Sequence, residues 1–380
     1  MRKLWTGAAA LALAACGGEQ SSARPAEATQ TPAATRAIAS TARSESRTFR
    51  DWYAVCDNGN LCSAYSGGST GWILVQMEAG PAAQPTVRVG MWPDNGEELK
   101  TPITLVIDGK RHATTPGPED TSSAMLPAAD ARAVVAELTA GRAVNISSGD
   151  QTIELPVAGV SASLLWFDER QGRLDTMTAL LRTGAKPASS VPPSPVLPVI
   201  TAAPAVSQTG FNTPLDPLNA DETTRAAVPP PSLEALPAVK LCRENTAFNE
   251  GVQKAVTASR LNAATELWGI PCDSGAYNIN YAFYMTSPQG TDPRVVNFPG
   301  VDGVQIPTAE DGDHGWLTNP SYDPTTRTLI AFAKGRGLGD CGVAQSWTWT
   351  GQAFVLNREQ VMSDCFGMTS ELWPTRFRSR

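Results

Sequence analysis

Glu310-Asp311-Gly312-Asp313-His314 packs three carboxylates and an imidazole into five residues. Such a loop offers cation binding through oxygen, or proton transfer through a carboxylic acid or imidazole. Calcium takes six to eight oxygens, and the EF-hand pattern requires Glu at its twelfth position. Counted from Asp311, that position is Tyr322. A solvated acidic loop is therefore the plain reading, with a weak calcium or general-acid site as its rival. His314 with Asp313 could in principle serve a serine, but no nucleophile elbow is expected to feed them, and hydrolase chemistry stays the minority reading. His112 is the only other histidine, which leaves little material for zinc sites or imidazole catalysis.

Gly335-Arg336-Gly337-Leu338-Gly339 has the look of a phosphate loop, whose glycines let backbone amides approach an anion before a helix begins. Here a cysteine and a β-hairpin follow, so the glycines read as positive-φ positions in a bend pinned by Cys341. The alternative is Arg336 as an exposed anion anchor, because a guanidinium on a tight loop can grip a carboxylate through two bonds. Trp268, Trp316, Trp347, Trp349 and Trp373 all fall late in the chain. They suit a buried core, or an aromatic platform for glycan or peptide, since Trp347 and Trp349 share one face of a strand. Arg376, Arg378 and Arg380 read as a frayed, solvated basic tail.

The seven cysteines divide into one and six. Arg2 and Lys3 precede an apolar run, Ala8 to Ala15, that is too short to span a bilayer and ends in Leu13-Ala14-Ala15-Cys16. That string matches a lipobox, in which Cys16 is lipidated and becomes the first mature residue. Three acyl chains would hold the protein on a membrane without crossing it. Gly17 rather than Asp follows Cys16, the non-retention case in bacterial sorting, so the outer membrane is the expected address. Beyond the inner membrane disulfides persist, and six cysteines allow 15 pairings. Segregation along the chain favours Cys56–Cys62, Cys242–Cys272 and Cys341–Cys365. No pair has Cys-x-x-Cys spacing and no histidine lies near them, so zinc is disfavoured. No metal or other cofactor is expected. The net charge of -7 leaves no basic footprint for nucleic acid.

The elements that must position these residues are mostly strands. Residues 1–15 read as the signal and 16–47 as a flexible tether with a reach of about 30 Å. Residues 48–185 read as a β-rich domain. It opens with the strand Phe49–Cys56 and an Asn58-Gly59 turn, has a hairpin at Asp108-Gly109, and carries a helix from Ala128 to Leu138 stopped near Gly141. Residues 186–238 hold twelve prolines between Lys186 and Pro237 and read as a linker, part of it lying along a surface as polyproline II. Residues 239–380 read as a second β-rich domain with a hairpin turning at Thr350-Gly351, which would set Trp347 opposite Phe354. The expected class is β-rich α+β: two disulfide-stapled, mainly antiparallel β domains joined by a Pro-rich linker.

Two resemblances follow from particular residues. Phe49, Asp51, Trp52, Cys56 and Cys62 resemble the opening of the invasion-associated locus B proteins of Gram-negative bacteria. From about Phe49 onward the chain resembles a proteobacterial envelope family known only as a domain of unknown function. That likeness rests on Asn319-Pro320-Ser321-Tyr322-Asp323, the Gly335-to-Gly342 run with its Gly-Arg-Gly-Leu-Gly-Asp-Cys-Gly string, Trp347-Thr348-Trp349, Cys365-Phe366-Gly367 and Trp373-Pro374. The resemblances imply envelope residence, and for locus B a role in host interaction, without assigning catalytic or binding residues. The expected function is a lipid-anchored envelope protein serving as a binding or envelope-maintenance module. Its partners would be the membrane, through the lipid, and envelope protein or glycan. Two rivals are an envelope hydrolase acting on peptidoglycan or its peptides, and a proteinaceous inhibitor of a lytic enzyme.

Overall fold

Alternating apolar residues from Trp52 to Met91 fold into an antiparallel meander: β1 (Glu45–Phe49), β2 (Trp52–Cys56), β3 (Cys62–Gly68), β4 (Gly71–Met77) and β5 (Pro85–Met91). The computed structural model describes residues 43–68, 70–92, 99, 102–118, 122–211, 227–301 and 316–380. The lipobox with Cys16, nearly all of the tether and the Glu310–His314 loop lie outside them. Strands β6 (Thr104–Ile107) and β7 (Lys110–His112) meet at Asp108 and Gly109, both at positive φ (47° and 84°), as a two-residue hairpin turn requires. Next come β8 (Thr115–Pro116), β9 (Ser123–Met125), α1 (Ala128–Ala140), β10 (Val144–Ser148), β11 (Gln151–Leu155) and α2 (Val160–Arg170).

Seven strands form one sheet in the order β1-β2-β3-β4-β5-β9-β8, and four form a second in the order β11-β10-β6-β7. Ala131, Val134, Val135 and Leu138 recur at helical spacing and give α1 one buried face. They join Trp52, Val75, Val87, Leu105, Ile146 and Phe167 in a core of helix packed on sheet. Helix α2 can start where it does because residue 159 is glycine: its φ is 113°, and a Cβ there would lie 1.7 Å from the Phe49 carbonyl oxygen.

The Pro-rich stretch is extended through residues 191–207 and strapped to what surrounds it. Ser194 Oγ donates to Ala79 O at 2.8 Å. Farther along, Ala203 N donates to Trp349 O at 2.8 Å and Arg380 N to Pro198 O at 2.8 Å. At its far end the linker reading gives way to helix, with α3 (Pro231–Glu234), α4 (Pro237–Asn245) and α5 (Glu250–Lys254). Pro231 and Pro237 stand in the first turns of α3 and α4, where the missing N–H costs nothing, so these prolines start helices instead of prolonging a linker.

Two sheets pack face to face in the C-terminal region. The first holds β12 (Thr257–Asn262), β13 (Thr265–Ser274), β14 (Ile279–Thr286), β15 (Arg294–Val295) and β16 (Trp316–Thr318). The second runs β17 (Ser321–Asp323), β18 (Thr328–Lys334), β19 (Gly342–Trp349), β20 (Phe354–Met362) and β21 (Thr375–Arg378), in that spatial order. Between them lie Leu267, Phe283, Phe298, Leu329, Trp347, Trp349 and Phe354. The expected register of the β19–β20 hairpin is off by two residues, which leaves each side chain on its expected face. Trp349, not Trp347, faces Phe354, and Trp347 faces Leu356. The reason is that the turn spans Thr350 to Ala353, closed by Thr350 N on Ala353 O, rather than two residues.

The fold is β-rich α+β, and three disulfides staple it: Cys56–Cys62, Cys242–Cys272 and Cys341–Cys365. The two β regions also share a core of their own, where Tyr65, Trp72 and Leu74 meet Met362, Met368 and Trp373.

Candidate functional site

The glycine-rich run closes into a bend at the edge of this seam. Gly335 N donates to Cys341 O at 2.7 Å, and a Cβ on Gly335 would press on Cys341 Sγ at 2.8 Å. Arg336 does not reach outward as an anion anchor. Its Nε and Nη2 donate to the two oxygens of Asp340, at 2.7 and 2.5 Å, and Nη2 also reaches Cys365 O. Asp340 is buried and takes a third bond from Gly367 N at 2.7 Å. Burial alone would raise its carboxyl, but Arg336 and the Gly367 amide outweigh it and hold the group below the usual 3.8. Asp340, Cys341 and Cys365 cluster at a spacing that metal ligands also adopt, yet the disulfide and the ion pair already occupy them.

The basic tail is likewise structural. Arg376 and Arg378 belong to β21, paired with β20, and they differ from a frayed terminus because both find carboxylates. Arg376 lies 3.4 Å from the buried Glu359. Arg378 reaches across the seam to Asp57 Oδ2 at 2.6 Å and grips Glu78 at 2.9 and 2.7 Å. The Arg378 backbone and Asn58 side chain exchange two further bonds of 2.9 Å. Asp57 also caps its own turn, accepting from Gly59 N and Leu61 N at 2.7 and 2.8 Å. Burial pushes its carboxyl upward, and Arg378 only partly offsets that.

Trp347 and Trp349 are buried, with Trp347 Nε1 donating to Pro299 O at 2.9 Å and its ring set edge-on to Phe298. Trp316 is buried beside α4 and β13. None of the three faces outward, so they build core and not a platform; the face that Trp347 and Trp349 share is the one between the two sheets. Glu310, Asp311, Asp313 and His314 lie outside the described residues. One correction concerns the nucleophile elbow. Gly67-Gly68-Ser69-Thr70-Gly71 does have the Gly-x-Ser-x-Gly spacing, but it joins the antiparallel strands β3 and β4, whereas an elbow joins strand to helix.

Two charged groups escaped the sequence reading. Asp168 is buried at the end of α2 and accepts from the backbone of Leu180, Leu181 and Arg182 at 2.7, 2.8 and 3.1 Å. Buried Arg173 donates to Gln171, Thr178, Glu78 O and Gly80 O. Both are satisfied: Asp168 fastens residues 180–182 to the end of α2, and Arg173 fastens the 171–182 loop to the segment that follows β4.

The third arginine of the second sheet differs. Arg358 lines a cleft of about 290 Å³ on the face of β18, β19 and β20 that points away from the aromatic core, next to the Ser370 turn. Its walls include Ile330, Phe332, Ala344, Ser346 and Gln360. Arg358 stands directly opposite Arg378 across β20 and β21. Partial desolvation and the charge of Arg378 both lower its pKa. A β-bulge at Asn357 put it there: Trp347 pairs with Leu356, but Ser346 pairs with Arg358, so the side-chain alternation reverses. Without that extra residue Arg358 would point into the aromatic core beside Leu356, and no periodicity in the sequence announces the change.

Similarity in sequence to a known protein extends over most of the chain. An uncharacterized protein of Escherichia coli (strain K12), YpfG, is 28% identical over 352 residues, which is 88% of this chain and 93% of the relative. The crystal structure of invasion associated protein B from Bartonella henselae aligns over 34% of this chain and 99% of its own, at 12% identity and a TM-score of 0.26, a likeness too slight to build on. Residues 46–380 match the family described as Protein of unknown function (DUF1176), and the chain belongs to that family.

Proposed function

We propose that this chain is a lipid-anchored protein of the bacterial cell envelope, probing its surroundings as a binding or envelope-maintenance module. The observation that carries the reading is the closure of all three disulfides, one in the β2–β3 hairpin and two in the C-terminal region. Such bridges persist where no reducing cytosol reaches them. The sequence supplies the anchor at Leu13-Ala14-Ala15-Cys16 and the outer-membrane address at Gly17. Among the described residues no helix is long and apolar enough to cross a membrane, which agrees with an anchor on the surface of the bilayer.

Binding is favoured over turnover because the charged groups of the seam are occupied with one another, Arg336 with Asp340 and Arg378 with Asp57 and Glu78. Groups held this way organise a surface more readily than they move protons. The anchor is tested by fractionation. Cys16→Ser is expected to shift the protein from the membrane pellet to the soluble periplasmic fraction with its disulfides intact. Retention in the pellet after a high-salt wash would overturn it. Crosslinking in intact envelopes should then trap a protein or glycan partner.

A further inference from the structure

Three arginines face the second sheet's outer side or its rim, and two of them are neutralised. Arg336 has Asp340, and Arg378 has Asp57 and Glu78. Arg358 has no hydrogen-bond or ion-pair partner among the described residues, although Arg378 stands opposite it in the ladder. Like charges facing each other across a strand pair oppose folding, and a fold keeps such a pair at a cost in stability. The carboxylate next to the cleft, Glu371, is no remedy, since its contact is a long 3.5 Å one from Ser370 Oγ.

The floor beside that free guanidinium is apolar. Ile330 is half exposed, Ala344 is small, and Phe332 is fixed against Trp373 with ring centroids 5.4 Å apart. Ser346 and Ser370 add hydroxyls at the wall. A planar guanidinium with two free N–H edges matches a carboxylate better than it matches a lone point anion. The volume, about 290 Å³, sits at the lower end of small-molecule pockets and suits one residue-sized apolar group with its acid. We infer that the Arg358 cleft binds the carboxylate end of a short peptide, with an aliphatic side chain seated on Ile330, Phe332 and Ala344. This rests on the binding-module reading and names the ligand class and the site for it.

The probe is N-acetyl-leucine, titrated into the full chain in detergent while the Ile330 methyl and the arginine Nε–H signals are followed by NMR. Saturable shifts of Ile330 and Arg358 together are expected. N-acetyl-leucinamide, which lacks the acid, should bind at least about tenfold more weakly, and so should N-acetyl-leucine with Arg358→Gln. Arg358→Gln is exposed and removes a repulsion, so its melting temperature should not fall; a loss of binding in that variant is then not a loss of fold. Equal binding of acid and amide, or unchanged binding by Arg358→Gln, would overturn the proposal. So would inorganic phosphate competing as strongly as N-acetyl-leucine, because the apolar floor would then contribute nothing. Crosslinked partners that persist in Arg358→Gln envelopes would refute this site while leaving the binding module standing. Loss of every partner in the wild type would remove the module itself.

Discussion

The two β regions bury their tryptophans differently, and the contrast explains where the free surface lies. In the N-terminal region Trp52 packs under helices, and its Nε1 donates to Pro156 O at 3.0 Å. In the C-terminal region Trp347 and Trp349 lie between two sheets among Phe298 and Phe354, and among the described residues Val252 of α5 is the one helical side chain in that cluster. A sheet covered by helices has one face left over, and in the N-terminal region that face meets the seam. A sheet-on-sheet core leaves two, of which α4 covers one and the seam only part of the other. The uncovered part holds Arg358.

This contrast can be broken most decisively at the cores themselves. Trp52→Ala and Trp347→Ala should each cost about 3 to 5 kcal/mol. Because Tyr65, Trp72 and Leu74 share a core with Met362, Met368 and Trp373, each substitution is expected to lower one common calorimetric transition. Two transitions, each moved by only one substitution, would show that the regions fold independently. The next effect is at the clamp. Arg378→Ala strands the buried Asp57 carboxylate and should cost about 3 kcal/mol, read by urea unfolding. In the wild type, halves made by limited proteolysis between residues 186 and 238 should co-elute on gel filtration, and in Arg378→Ala they should begin to separate. Separation already in the wild type would refute the clamp.

The disulfides sharpen the comparison by less. On the chain-entropy account the 30-residue separation of Cys242–Cys272 is worth about 3.5 kcal/mol and the 6-residue one of Cys56–Cys62 about 2. Removing the first pair should therefore lower stability by about 1.5 kcal/mol more than removing the second. Equal losses would mean that native packing, and not loop closure, sets their worth.

The smallest effect is one of sign, between two buried carboxylates. Asp340 is held below 3.8, so its contribution is complete above that pH and is lost as pH falls through its folded value. Asp57 is pushed above 3.8, so its protonated form is favoured by folding, and that contribution is present below 3.8 and lost as pH rises through its folded value. Melting temperatures between pH 2.5 and 7 should show Asp340→Asn costing most at the neutral end and Asp57→Asn costing least there. The same trend in both variants would contradict this assignment.

Short-range chemistry was legible in advance. Asp108-Gly109 carries its turn in its own two residues, the Ala128–Leu138 pattern has helical spacing, and the cysteines pair with their neighbours along the chain. The helices at 231–254 were not, because prolines that end one element also begin another, and only the chain that follows decides which. The site was least legible of all. The sequence determined that β20 follows a turn as the return strand of a hairpin and that its Phe354 seeks a core. It could not determine that Asn357 would bulge, since a bulge is set by how two strands and a four-residue turn fit together. That single extra residue turns Glu359 inward to Arg376 and Gln345 and turns Arg358 outward to the cleft. Which arginine is neutralised depends likewise on a carboxylate some 300 positions away, a distance that only tertiary packing closes.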